Sequence, residues 1–381
     1  MAIIRSRRTL AFVFVALLII IYLVDSRNEI AVLENTSLPE GMQKPGPKKS
    51  YRVFVKQAAA IDPAYPIGIG LANLPDISKK LPKYLKYKEH LISPVVNQEI
   101  CASCWAISIC QVISDRISLL TGGKIMRPLS YQELLTCFNP KGTDKGCEVG
   151  GSPEAGFHWA EKNGLSADSR YPYAQQKTTQ IAPCDSRKQQ GPRTFVARRS
   201  VKSLCEDPYR YKEGSVDYSK VIEKNMQRMK VELYLHGSIC CIIFVYKSMY
   251  NFSGLHIYNG PEKGDEYVGG HAAVIFGYSE EVNGVEESFD GNMWFIRNSW
   301  SSAWPIKSPA SKGLFYMRAG QNCCGIEPRA SAAQPVITEE IRASMAPLEK
   351  RSYRSYSDYV SDPQRANYVK KSTRLHALLK K

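Results

Sequence analysis

The chain has only six histidines in 381 residues. Its single C-x-x-C pair, Cys101 and Cys104, has no second pair to match it. A structural zinc site needs such a second pair, or histidines at ligand spacing. Cys137 and Cys147 lie ten apart with no histidine in a suitable pattern, so no metal or other cofactor is expected. A thioredoxin-like dithiol is excluded for a different reason: the segments flanking the pair do not form the strand and helix of a small βαβ unit. No nucleic-acid motif is present, although Lys and Arg exceed Asp and Glu by 51 − 36 = 15. The excess is therefore assigned to a basic surface and a basic tail, with no nucleic-acid partner. No internal repeat is visible. The oligomeric state is not legible.

What is present points to an oxidising compartment. Eleven cysteines are many for a cytosolic enzyme and suggest disulfides. The count is odd, so one thiol stays unpaired unless a bond links two chains. Near the start, basic "RSRR" (Arg5 to Arg8) precedes the apolar run Leu10 to Val24, and Asp25 follows. That charge order directs the rest of the chain away from the cytoplasm. Residues 1–26 are read as a signal anchor. A signal peptide cleaved after Ser26 is the alternative. The expected placement is a single-pass membrane protein with its folded domain on the lumenal or extracellular side; after cleavage it would instead be secreted or reach a lysosome-like compartment. Asn35 and Asn251 open sequons that would be usable there.

Residues 27–74, with "KPGPKK" and "DPAYPIGIG", lack helical periodicity and read as a stalk or short prosegment. The folded domain is assigned to 75–335. Helices are expected over Trp105 to Leu120, Ser130 to Cys137 (with a Ser130/Glu133 capping box), Ser152 to Asn163 and Tyr218 to His236. Strands are expected over Ile239 to Tyr246, His271 to Tyr278, Met293 to Trp300 and Gly313 to Ala319. Helices first and strands second give an α+β class with two halves and a cleft between them. Residues 336–381 are polar, basic and rich in tyrosine, and are read as a flexible tail.

Cys104 stands where a helix begins. A helix N-terminus and a nearby imidazolium stabilise a thiolate, so Cys104 is the candidate nucleophile. It needs a base and a group that orients the base. Of the histidines, His271 follows Gly269-Gly270 and opens an apolar strand, where its ring can face a cleft. His158, His236 and His256 read as structural. Asn298, at the end of the "RNSW" strand, can accept from the imidazole and fix its tautomer.

In that order, "NQEICASCWAIS", "LSYQELLTC", "GC" followed by "GG", "YPY", "GGHAAVIFGY", "RNSWSSAW" and "NCCGIE" resemble the papain-like cysteine proteases. "SDRI", "GGHA" and "CGIE" resemble the cathepsin B branch. Membrane-anchored forms of such proteases occur in large DNA viruses, and the N-terminal run fits one. The resemblance implies a papain-like two-lobed fold, helical on one side and antiparallel β on the other. It also implies a cysteine endopeptidase acting on proteins or peptides through a thioester. The competing function is a catalytically weak or inactive, membrane-anchored papain-like module that binds peptides or a partner.

The resemblance assigns Cys104, His271 and Asn298 as catalytic and Gln98 to the oxyanion hole. Gly150 and Gly151 would pair with substrate backbone, Trp300 would shield the Asn–His bond, and Arg329 would lie at the bottom of the S2 pocket. It pairs Cys101 with Cys147 and leaves Cys137 with either Cys184 or Cys205. Departures are Ala102 in place of a glycine, one residue more in "GCEVGG", and the changed "NSWSSAW" and Pro305 followed by the insertion "IKSPASK". No long helical propeptide motif is present.

Overall fold

Cys104–Thr121 is helix α1, and its sequence explains its position: it contains no Gly or Pro and is apolar around most of its circumference. A helix of that kind has to be buried, and every residue of it except Leu120 is. Gly122, at φ +59°, ends it in the left-handed conformation that glycine adopts without strain, and Gly123 N–H returns to Ser118 O. The computed structural model describes residues 81–138, 147–148, 150–280, 292–305, 312–346 and 352–362. The anchor (1–26), the stalk (27–74) and the sequon at Asn35 lie outside these residues. Among the described residues no helix is long and apolar enough to cross a membrane.

Three further helices begin at serine caps. Ser130 Oγ accepts from Glu133 N at the start of α2 (Tyr131–Cys137), Ser152 Oγ from Ala155 N at α3 (Pro153–Asn163), and Ser215 Oγ from Tyr218 N at α4 (Val216–His236). The capping box expected at Ser130 is only half made. The Glu133 carboxylate turns away to accept from Ser166 N and to pair with Arg193 at 2.7 Å, because a buried charge needs an ionic partner more than a cap.

The sheet is antiparallel and built on one long strand. With β1 (Tyr84–Tyr87), β2 (Lys202–Ser203), β3 (Ile239–Tyr246), β4 (Tyr267–Ser279), β5 (Met293–Arg297), β6 (Leu314–Arg318), β7 (Ala330–Ala332) and β8 (Ser352–Tyr353), the order is β2-β7-β3-β4-β1-β8, and β5 pairs with β4 and β6. β1 and β5 both pair with Gly277 to Ser279 of β4, and the β4–β5 register shifts between Ile275 and Gly277. Gly277 is required there, because a Cβ would stand 2.3 Å from Leu85 O. One core lies between α1 and the sheet, with Trp105, Ile109, Val112, Ile113 and Ile117 against Cys240, Ala272 and Val274. A second gathers Tyr84, Phe276, Phe295 and Tyr359.

Two sequence readings change. β4 begins at Tyr267, four residues before His271, so His271 sits inside the strand opposite Ile243. The tail is not free from residue 336 onward. Glu339–Ala343 forms a short helix, α5 here omitting the single turn Lys247–Tyr250, and its Ile341 is buried in the α1 core. β8 then pairs with β1, Lys86 opposite Tyr353. The Tyr359 ring lies 3.8 Å from the Lys86 ammonium, which also meets Glu89 at 3.0 Å. Tyr353 and Tyr359 of the tail are thus packed residues, and the Tyr359 ring encloses a buried lysine whose charge Glu89 offsets. Residues 363–381 lie outside the described residues.

Candidate active site

Cys104 is the first residue of α1, and Ser103, its N-cap, makes no side-chain cap. The loop before it is held from several sides. Cys101 is bonded to Cys147, and Ala102 N–H donates to Cys147 O at 2.9 Å. Tyr173 Oη meets Ser103 Oγ at 2.9 Å and donates to Gln98 O at 2.7 Å. Gln98 is buried; its side-chain amide donates to Cys101 O at 3.0 Å and accepts from Ser299 Oγ at 2.7 Å. Its amide end is therefore directed at the loop that carries the nucleophile.

β4 carries His271, the expected base, and Asn298, its expected orienter, directly follows β5. His271 Nε2 lies 2.8 Å from Asn298 Oδ1, and that oxygen also accepts from Ser299 N at 2.7 Å. His271 Nδ1 is buried without a hydrogen-bond partner. The Trp300 ring covers the imidazole at 4.9 Å between centroids, and Tyr250 and Trp304 pack around Trp300 at 5.1 and 5.2 Å. Cys104 Sγ accepts from Ala272 N at 3.4 Å, the amide that directly follows His271. Cys104 thus meets Ala272, 168 positions away, beside the His271–Asn298 pair, whose members are 27 apart.

Burial sets the electrostatics. It pushes the Cys104 thiol up to about 11, against the pull of the backbone amides of Ala272, Trp105 and Cys104 itself. It pushes His271 down to about 4, against the Asn298 hydrogen bond. Burial therefore opposes a lone thiolate, contrary to the expectation from the helix terminus alone. It does not oppose a pair that shares one proton. At neutral pH the thiol keeps its proton and the imidazole is neutral, and passing that proton from sulfur to the ring creates opposite charges that attract each other.

The residues expected to face substrate are placed as follows. Gly150 has φ +79°. A Cβ at Gly151 would meet the Trp105 indole at 2.5 Å, so glycine is needed for backbone to lie on that ring. Arg329 precedes β7 and is half-buried, its guanidinium 4.6 Å from the Phe244 ring centroid and 5.4 Å from that of Tyr209. Phe244 pairs with Gly270, the residue before His271 in β4. Cys137 is bonded to Cys184; Cys205, Cys110, Cys240, Cys241, Cys323 and Cys324 are buried free thiols. Asn251 is exposed. His158 and His256 are exposed, and His256 lies in a loop instead of a helix or strand. Sequence reasoning missed Ser299 and Tyr173, which hold Gln98; "YPY" and "NSW" carry them but do not announce their bonds.

The comparisons with known proteins agree with this geometry. The description "Papain family cysteine protease" matches residues 81–334. A cathepsin B-like cysteine proteinase 3 of Caenorhabditis elegans is 29% identical over 249 residues, 62% of this chain and 60% of its own length. The chain thus spans under two thirds of that relative. A gut-specific cysteine proteinase of the same organism is 28% identical over 247 residues, 65% of this chain and 70% of its own. In fold, the chain is similar to procathepsin B S9 from Trypanosoma congolense, with a TM-score of 0.53 at 22% identity over 71% of this chain and 83% of that one. The chain belongs to the papain family of cysteine proteases.

Proposed function

We propose that the protein is a cysteine endopeptidase that cleaves proteins or peptides through a thioester. The observation that supports this most is the contact chain from Asn298 Oδ1 through His271 to the amide at Cys104 Sγ. In this reading the Cys104 proton passes to His271 as sulfur attacks the scissile carbonyl. The oxyanion is met by the Gln98 side-chain amide and the Cys104 N–H. His271 then gives the proton to the departing amine, leaving a thioester. Water, deprotonated by His271, releases the acid and restores the thiol. Asn298 fixes the ring, and the Trp300 indole keeps water from the Asn–His bond.

Endopeptidase action is preferred because cathepsin B holds a substrate C-terminus with paired histidines on an inserted loop, and residues 173–208 here contain none. The apolar run Leu10 to Val24 behind basic residues supports a membrane anchor, with catalysis on the lumenal or extracellular side. The reading is tested with a thiol-reactive affinity probe and a peptide library on the full chain. Labelling of Cys104 and cleavage lost in Cys104→Ala are expected. An inactive binding module would bind peptides without labelling.

A further inference from the structure

α1 carries a polar stripe below Cys104. Gln111 and Asp115 lie seven and eleven residues on, which at 3.6 residues per turn returns to the same face. Both are buried, Asp115 completely. They converge on one guanidinium, that of Arg297, the residue before Asn298. Arg297 Nη2 donates to Asp115 Oδ2 at 2.8 Å, Nε to Gln111 Oε1 at 2.9 Å and Nη1 to Ser93 O at 3.0 Å. The remaining atoms of the two partners reach the same segment. Asp115 Oδ1 accepts from Ser93 N at 2.6 Å, and Gln111 Nε2 donates to Pro94 O at 3.0 Å. Ser238 Oγ, just before β3, completes Asp115 at 2.7 Å.

Three elements therefore meet at one buried hub. They are the helix that begins with Cys104, the strand that ends one residue before Asn298, and the segment that runs from Ser93 to Gln98. Resting on the reading of those residues given above, we propose that Arg297 is a positioning residue: through Asp115, Gln111 and Ser93 it sets the mutual placement of nucleophile, orienting asparagine and oxyanion donor. A buried ion pair adds little net stability over an apolar pair of similar volume. The planar fork, by contrast, specifies direction at three acceptors at once, which an ammonium cannot do.

The test uses the full chain with a fluorogenic peptide, reading kcat, KM and thermal melting. Arg297→Lys keeps the charge and loses the fork. Arg297→Met combined with Asp115→Leu removes the pair and leaves apolar volume. The expected result is a folded protein with KM within about twofold of wild type and kcat lower by roughly tenfold to a hundredfold, the penalty of a misplacement near 1 Å. Wild-type kcat in either folded variant overturns the proposal. So does unfolding of both at the assay temperature, because the hub would then only hold the fold. A wild-type chain without Cys104-dependent turnover defeats the underlying reading, and this inference falls with it.

Discussion

His271 is bonded on one side only: Nε2 lies 2.8 Å from Asn298 Oδ1, while Nδ1 is buried and unpartnered on the ring's other side. With Asn298 Oδ1 also accepting from Ser299 N, the oxygen is fixed and Nε2 must carry the proton. Nδ1 is then the free base of the resting ring. His271→Ala is expected to lower kcat by at least about 10²–10⁴. Asn298→Ala should leave a measurable residual rate, since it orients the base without replacing it. Steady-state kinetics on one peptide substrate check both.

The pH profile follows from the shared proton. Below about pH 4 His271 takes a second proton from solvent and ceases to be a base, so kcat/KM should fall as pH falls through that value. The alkaline limb should lie well above neutrality, towards the value of about 11 to which burial pushes Cys104. The same His271 shift affects stability. Its folded pKa lies below the ordinary 6.5, so the unfolded chain binds more protons between 6.5 and about 4, and this residue makes the fold less stable as pH falls through that window. A pH-rate series paired with melting curves tests both signs; an acid limb above pH 6 would contradict the assignment.

Arg329 is proposed to line the S2 pocket. Its guanidinium lies on Phe244 and donates to Gly325 O at 3.3 Å, so it is held inward in preference to reaching into solvent. Substrates with P2 Arg should be cleaved worst in a matched P2 Leu, Glu and Arg series. Arg329→Glu should move the ranking towards P2 Arg. An unchanged ranking would remove Arg329 from the pocket.

The C-terminal segment should matter for stability. Tyr359→Leu removes the ring 3.8 Å from buried Lys86, at a cost of about 2 kcal/mol for a desolvated cation–π contact. A chain ending at Pro335 also loses β8 and the buried Ile341. Chemical denaturation should rank the intact chain above Tyr359→Leu, and that above the truncation.

Much of this was legible in sequence, for physical reasons. α1 and β3 to β6 are long or strongly apolar segments with clear stops, so period and turn chemistry reveal them. Cys104, His271 and Asn298 stand at element boundaries or beside glycines, in residue types that chemistry restricts. What was hidden depends on tertiary partners. β1 and β8 are too short to signal themselves; β1 exists because β4 offers an edge, and β8 because β1 does. Glu133 reads as a capping residue until Arg193 competes for it. Arg297 reads as an ordinary strand residue until Asp115, 182 positions away, is folded against it. Burial likewise reverses the direction expected for the Cys104 thiol.

The central claim is that Cys104 carries the acyl group. The direct measurement is rapid acid quenching of the full chain with a slowly hydrolysed ester or peptide, followed by intact-mass and peptide mapping. The account predicts one acyl group per chain on Cys104, formed before the second product appears and absent in Cys104→Ala and His271→Ala. Cleavage at the wild-type rate by Cys104→Ala, or an acyl group on another residue, would contradict it.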